Sequence, residues 1–468
     1  MILKFYKNIK MKKQNISKLI IVLIASVLLQ SCFVAKDYKT PEVKTTDLYR
    51  TDKALDSTTI ASISWDKLFT DTYLNEYIKE GLTNNYDVQI ALESLKAAEA
   101  SMKQSKTGNI PTLTGNASWL HQEYKDSDNY NQYELSGALS WEADIWGKIR
   151  SNKRAAVASY LQTVSVQQAI ETQIVASIAS TYYQLLALDA QVKIAEKTLI
   201  NRNESIETIK ALKDAGSVNE VSVKQTEAQK YATEIILKDL KYNVKIVENT
   251  LCILLGRSPS TIARNTFEAQ EITADIVVGV PALLLSNRPD VIAAELNFRR
   301  SFELTNVARS NFYPSLTVNA SGGFQNIELE DWFNTKSLFA SVLTGLTQPI
   351  FNQRKIKTNY EIAQANQQKA YLEFKQTLLL AGKEVSDVLA DYKNETEKLT
   401  IRKNQLEVLT QAADYSDELL QYGMVNYLEV LTAKDNALNT ELAYVTNKYN
   451  QMDAIITLYR ALGGGVNK

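Results

Sequence analysis

Residues 86–256 of this chain are written a second time at 289–463. Asp87-Val88 returns as Asp290-Val291, and Pro111-Thr112-Leu113 as Pro314-Ser315-Leu316, both 203 residues later. Gly216-x-Val218-Asn219-x-x-x-Val223 returns as Gly423-x-Val425-Asn426-x-x-x-Val430, and Leu255-Gly256 as Leu462-Gly463, both 207 residues later. A near-constant offset marks the copying of a whole structural unit rather than of a short motif. The step from 203 to 207 puts one small insertion in the strand pair or its junctions. Two long, similar halves without a catalytic constellation predict a wall or a tube, not an active site.

The residue inventory points the same way. One His and two Cys leave little room for a metal site, a Cys/His nucleophile or a disulfide framework. A net charge of −1 gives no global field for nucleic acid. No enzymatic activity, cofactor, metal or nucleic-acid partner is expected. Only 16 Gly and 7 Pro argue for long uninterrupted elements.

Residues 1–31 read as a signal peptide. Lys10, Lys12, Lys13 and Lys18 precede an apolar run, Leu19 to Leu29, too short to span a bilayer as a helix. Met11-Lys12-Lys13 makes a more typical start than Met1. The run meets Ser31-Cys32, and a Cys at the cut resembles a bacterial lipoprotein signal, whose thiol is acylated. More than one acyl chain would give a lasting hold on lipid.

Residues 32–64 are polar and read as an extended leader. The first repeat spans 65–256, a linker 257–285, and the second repeat 286–468. Each repeat reads helix–strand–strand–helix–helix. A helical pattern runs from Trp65 to about Lys106. A period of 2, weak on each face, then predicts strands at about 112–121 and 132–146, repeated at 315–325 and 337–351. From Lys148 the apolar spacing becomes a heptad through Ile178, Thr181, Leu185, Leu188, Val192, Ala195 and Leu199. At about 1.5 Å per residue, Lys148 to Leu212 would reach about 100 Å. Val385, Val388, Tyr392, Leu399 and Leu406 lie 207 residues after members of that seam, so the seam itself is copied. Gly216 and Gly423 end the long helices, and Asn219 and Asn426 start the next ones.

The strands are long enough to cross a bilayer and carry aromatic residues near their ends, Trp119, Tyr133, Trp141 and Trp332 among them. Four strands cannot close a barrel, and an open edge in lipid leaves backbone groups unpaired. Several copies must therefore assemble. The heptad helices also need neighbours on both sides, and a ring of them makes a hollow cylinder. The open alternative is a soluble sheet on a periplasmic coiled-coil scaffold without a pore.

Five motifs in order, on the duplicated frame, resemble the TolC-type outer-membrane efflux proteins, in their lipoprotein (OprM/NodT-like) branch. They are Cys32-x4-Asp37-Tyr38-x-x-Pro41, Trp65-x-x-Leu68-Phe69-x-Asp71-x-x-Leu74, and Trp141-Glu142-x-Asp144-x-Trp146-Gly147-Lys148-x-Arg150. The others are Val280-Pro281-x-x-Leu284-Leu285-x-x-Arg288-Pro289-Asp290-Val291 and Gln348-Pro349-Ile350-Phe351. The resemblance implies a mixed α and β membrane protein. Four membrane strands per chain would build a trimeric 12-stranded β-barrel, continued by a 12-helix periplasmic α-barrel. It implies the exit duct of a tripartite pump in the bacterial outer membrane, passing small toxic compounds. The partners would be two further copies of the chain, a periplasmic adaptor, an RND- or ABC-type inner-membrane transporter and outer-membrane lipid. A duct for secreted proteins is the alternative within this fold.

The same resemblance assigns roles to residues. Cys32 would carry the lipid. The turns at Gly216, Ser217 and Val218 and at Gly423, Met424 and Val425 would form the periplasmic tips and touch the adaptor. Leu428 falls where related proteins narrow the pore, with acidic rings one and four positions on. Here those positions hold Glu429 and Thr432, so an acid is kept only at the first. Three copies of Glu429 would make a cation-favouring ring. As a purely structural alternative, Asn426-x-x-Glu429 reads as a capping box. Arg288-Pro289-Asp290 reads as architecture, His121 as a lone surface His, and Cys252 as a small buried apolar residue.

Overall fold

A computed structural model describes residues 34–43, 48–50, 59–125, 129–270 and 283–465. Cys32 and Val280-Pro281 lie outside the described residues. Two compact units divide these described residues, one drawn from the ranges 34–42, 95–163 and 293–375, the other from 43–94, 164–292 and 376–465.

The elements follow the duplicated order. Helices α1 (Trp65–Leu68), α2 (Thr72–Asn84) and α3 (Tyr86–Lys106) lead to strands β1 (Thr112–Gln122) and β2 (Tyr130–Ala143). Helices α4 (Lys148–Asp214) and α5 (Glu220–Leu254) complete the first repeat. The second has α6 (Leu284–Asn287), α7 (Pro289–Ser310), β3 (Ser315–Asn326), β4 (Leu338–Thr347), α8 (Lys355–Gln421) and α9 (Tyr427–Ala461). Helices α4 and α8 each have 67 residues and α5 and α9 each 35, all starting 207 apart. Among the described residues no helix is long and apolar enough to cross a membrane.

Three expected boundaries move. The first helical stretch is three helices, because Asp71 and Asn85 interrupt it. The Asp71 carboxylate accepts the Leu74 amide at 3.1 Å, and Asn85 Oδ1 accepts the Asp87 amide at 2.8 Å. Strand β2 ends at Ala143 rather than 146. Asp144 leaves the ladder and takes the Ile149 and Arg150 amides at 2.8 and 2.9 Å, capping α4. Strand β4 ends at Thr347 rather than 351, since Pro349 has no N–H to give a ladder.

The first unit holds one antiparallel sheet in the order β1-β2-β3-β4. Its register locates the insertion. Thr112 pairs with Ser140, and Ser315, 203 later, pairs with Thr347, 207 after Ser140. The four extra residues therefore sit in the β3–β4 hairpin loop. One face of the sheet carries Leu113, Ala117, Trp119, Leu135, Leu139, Trp141, Leu316, Val318, Phe324, Val342 and Leu346. The other carries Thr112, Thr114, Asn116, Ser118, Glu134, Ser136, Ser140, Thr317, Asn319, Ser321 and Thr347.

The second unit is held by aromatic and aliphatic side chains from both repeats. Phe69 is fully buried and lies 6.4 Å, ring centre to ring centre, from both Tyr183 and Tyr459. Ile78, Ile178, Leu185 and Leu458 are equally buried, and each such side chain contributes about 1.5–3 kcal/mol. Asp71 also accepts Asn265 and Gln270 amides at 3.0 and 2.8 Å. The Trp-Leu-Phe-Asp-Leu motif is thus a core insert with its own cap.

Candidate functional site

The two helix–helix turns share one backbone. Gly216 and Gly423 have φ of +76° and +69°, a left-handed conformation that glycine adopts freely. After the first, Ser217 N–H reaches Leu212 C=O at 2.9 Å and Gly216 N–H reaches Lys213 C=O at 2.9 Å. After the second, Met424 N–H reaches Leu419 C=O and Gly423 N–H reaches Leu420 C=O, both at 3.0 Å. Both are Schellman caps. The next helix then starts on an Asn side chain, Asn219 to Ser222 N–H at 3.2 Å and Asn426 to Glu429 N–H at 3.1 Å.

The six tip residues divide. Val218 and Val425 pack, with Leu212 and Leu420, on a core of Ile209, Val223, Tyr427, Val430 and Leu431. This core ties the α4–α5 hairpin to the α8–α9 hairpin. Gly216, Ser217, Gly423 and Met424 stay exposed, Met424 at 72%. Tyr422 and Leu428 are exposed at 70% and 57%, so the second turn presents apolar surface where the first presents Ala215 and Ser217.

The candidate aperture residues lie on the first turns of α9. Leu428, Glu429 and Thr432 are all exposed. The Glu429 carboxylate accepts the Asn426 side-chain amide at 2.9 Å, while Asn426 accepts the Glu429 backbone amide. This is a reciprocal cap, made side chain to side chain. Thr432 turns its hydroxyl back to Leu428 C=O at 2.8 Å.

A buried ion pair nearby went unread in the sequence. Arg202 on α4 is 2% exposed and bonds Asp435 on α9. Its Nε and Nη1 have no partner among the described residues. Burial pushes the Asp435 carboxyl up, against the opposing pull of Arg202. The signal was present: Arg202 falls three residues after Leu199, on the apolar seam, where the second repeat has Leu409. A cavity of about 630 Å³ beside it is walled by Ile209, Leu212, Ala413, Leu420 and Leu438.

The other singled-out residues are architectural. Arg288 forks onto Asp290 at 2.9 and 2.6 Å, and also reaches Glu384 at 2.6 Å and Ala461 C=O at 2.9 Å. Burial opposes the Asp290 charge, but the Arg288 hydrogen bonds and charge outweigh it and hold the carboxyl below its ordinary range. His121 meets Asn131 at 2.8 Å, and Cys252 is buried with its thiol near Ser260. No group of His, Cys, Asp or Glu among the described residues could hold a metal.

Two residues past Cys32 the leader is already docked in the first unit. Val34 is buried, and its C=O accepts from Arg309 at 3.3 Å. Asn306 clamps Lys36 through both its backbone groups, at 3.2 and 2.8 Å. Gly147 makes room, since a Cβ there would sit 2.9 Å from the Ala35 Cβ. Arg309 lies in the last turn of α7, six residues before β3 begins.

The family model described as Outer membrane efflux protein matches residues 77–257 and 280–464, one block per repeat. The cation efflux system protein CusC of Escherichia coli O6:H1 is 26% identical over 450 residues, covering 94% of this chain and 97% of that protein. The solvent efflux pump outer membrane protein SrpC of Pseudomonas putida is 26% identical over 459 residues, covering 95% and 97%. The solved structure of the outer-membrane channel OprN superposes with a TM-score of 0.85 at 25% identity, covering 92% of this chain and 99% of that one.

Proposed function

The chain belongs to the outer membrane efflux protein family, and on that premise we propose that it is the outer-membrane exit duct of a tripartite efflux pump. It is an outer-membrane component of an efflux system, as its relatives are. The duct is a homotrimer, with four strands per copy in a 12-stranded barrel and four long helices per copy in a 12-helix tunnel. It conducts passively and catalyses nothing. A periplasmic adaptor meets the exposed turn residues around Ser217 and Met424, and an RND- or ABC-type transporter in the inner membrane supplies the energy.

One observation carries this reading. The sheet has an apolar face, a polar face and two open edges: all eleven residues of β1 and eight of the ten of β4 are exposed. An apolar outside, a polar inside and edges that demand closure are the requirements of a membrane barrel. Acylation of Cys32 fits the same picture. The docking of Val34 near the start of β3 would set the lipid at the level where the strands begin.

Glu429 lines the aperture in this reading, its cap holding three carboxylates in place around the axis. The relatives are named for a cation system and a solvent pump, which favours small toxic compounds over secreted proteins as cargo. Deleting the gene should raise susceptibility to such compounds and leave secreted proteins unchanged. Unchanged susceptibility across metals, solvents and antibiotics, with a lost secreted protein, would replace it with the secretion reading.

A further inference from the structure

The duplication makes a residue-level statement about how one copy of the sheet meets the next, resting on the trimer proposed above. Within the chain, β2 of the first repeat pairs with β3 of the second, with Ser136 opposite Gly323 and Ala143 opposite Leu316. The seam between two copies joins the same two kinds of strand, β4 of the second repeat and β1 of the next copy's first repeat. Moving each partner to its duplicate carries β2 to β4 by 207 and β3 to β1 by 203. Ser136 becomes Leu343 and Gly323 becomes Leu120.

We infer that β4 of one copy pairs antiparallel with β1 of a second copy so that Leu343 lies opposite Leu120. Thr347 then faces Asn116, and just past the end of β4 Ile350 faces Leu113. The partner is a second copy of this chain, because the seam repeats an interface the chain already makes with itself.

A second observation agrees independently. On the polar face of the sheet, Leu120 and Leu343 are the two leucines; the remaining residues of β1 on that face are Thr, Asn, Ser and Gln. They stand on opposite edges, exposed at 43% and 66%. The inferred register brings these two together, so each covers the other at the seam. On the other face it brings together Ile350 at 100% exposure and Leu113 at 77%. A slip of one residue would turn the apolar face of one copy onto the polar face of the next. A slip of two would move Leu343 by about 7 Å to face Ser118 or Gln122, and leave Leu120 facing Ser341 or Gly345.

Cysteine pairs test this in the full-length protein in its membrane, with Cys252→Ala as background. Leu343→Cys with Leu120→Cys should cross-link on oxidation into a ladder ending at three chains. The yield should be on the order of ten-fold above Leu343→Cys with Ser118→Cys or Gln122→Cys, because a disulfide needs close Cα atoms. Ile350→Cys with Leu113→Cys supplies a second reporter on the opposite face, should the first pair fail to assemble. A stronger yield at Ser118 or Gln122 would overturn the register. A trimer that stays assembled and conducts with neither reporter pair cross-linked would overturn the inferred register while leaving the duct reading intact. A monomer in the unaltered chain would overturn both.

Discussion

The repeats keep one tightly packed geometry where each closes on itself, while their turns keep a backbone and exchange its exposed side chains. At the closing junctions, Asn85 donates to Leu254 C=O at 2.9 Å, and Arg288, 203 later, donates to Ala461 C=O, 207 after Leu254, at the same distance. A Cβ on Gly256 would sit 2.3 Å from Asn84 C=O, and one on Gly463 would sit 2.3 Å from Asn287 C=O. Different side chains do one task in one geometry. At the turns the backbones match, but Ala215, Ser217, Glu220 and Ser222 become Tyr422, Met424, Tyr427 and Glu429. The junction tolerates no change of shape, because backbone packs on backbone there. The turn faces open space, so its side chains were free to change: Tyr427 joins the core between the hairpins, while Tyr422 and Met424 stay exposed.

The sharpest test of that contrast is one substitution made at both places. Gly463 has φ +85° and no room; Gly423 has φ +69° and nothing within 4 Å of an added Cβ. Gly463→Ala should cost about 3–4 kcal/mol in denaturant unfolding, from backbone strain plus overlap. Gly423→Ala should cost about 1 kcal/mol, from strain alone. Equal losses would break the comparison. At the junction, Arg288→Ala leaves Asp290 without its cation, while Glu384 keeps Arg460, and should cost about 3 kcal/mol, against about 1 kcal/mol for Asn85→Ala in the other copy.

The turns invite subtler changes. Arg202→Leu alone leaves Asp435 half-buried without its partner and should lower stability by about 1–2 kcal/mol. Adding Asp435→Leu should recover that loss, since burial already outweighs pairing for this carboxyl. If the double variant is worse than the single, the pair is a stabilising contact. Glu429→Ala should lower cation selectivity about two-fold in bilayer recordings, while Ser222→Ala, its counterpart in the first repeat, should change nothing. The smallest effect is in pH. Asp290 titrates lower folded than unfolded, so its contribution is full above the ordinary carboxylate range and fades as pH falls through the depressed value. The stability gap between parent and Asp290→Asn should therefore close in acid; a gap that widens there would reverse the sign.

Much of this was legible in residue order. The 207 offset placed both turns, and period-2 alternation placed all four strands to within a few residues. What escaped notice depended on contacts distant in sequence or on polar exceptions to a pattern. Asn85 breaks a helical run by offering its own side chain to the backbone, which apolar spacing does not register. Arg202 sits on the seam in one copy, and Glu395 and Arg402 sit there in the other, opposite Leu188 and Ala195. Those exceptions were visible once the repeats were aligned. The clamp of Asn306 on Lys36 spans 270 positions, and no local rule reaches it. Strand register was beyond the sequence too, and only the pairing of β3 with β4 moved the insertion into their loop.

The central claim, that copies of this duplicated unit close into a conducting tube, is tested most directly by single-channel recording of the purified, full-length protein in a planar bilayer. The account predicts a stable open conductance from a heat-dissociable trimer, lost when heating returns it to monomer. A folded monomer that never conducts would contradict it.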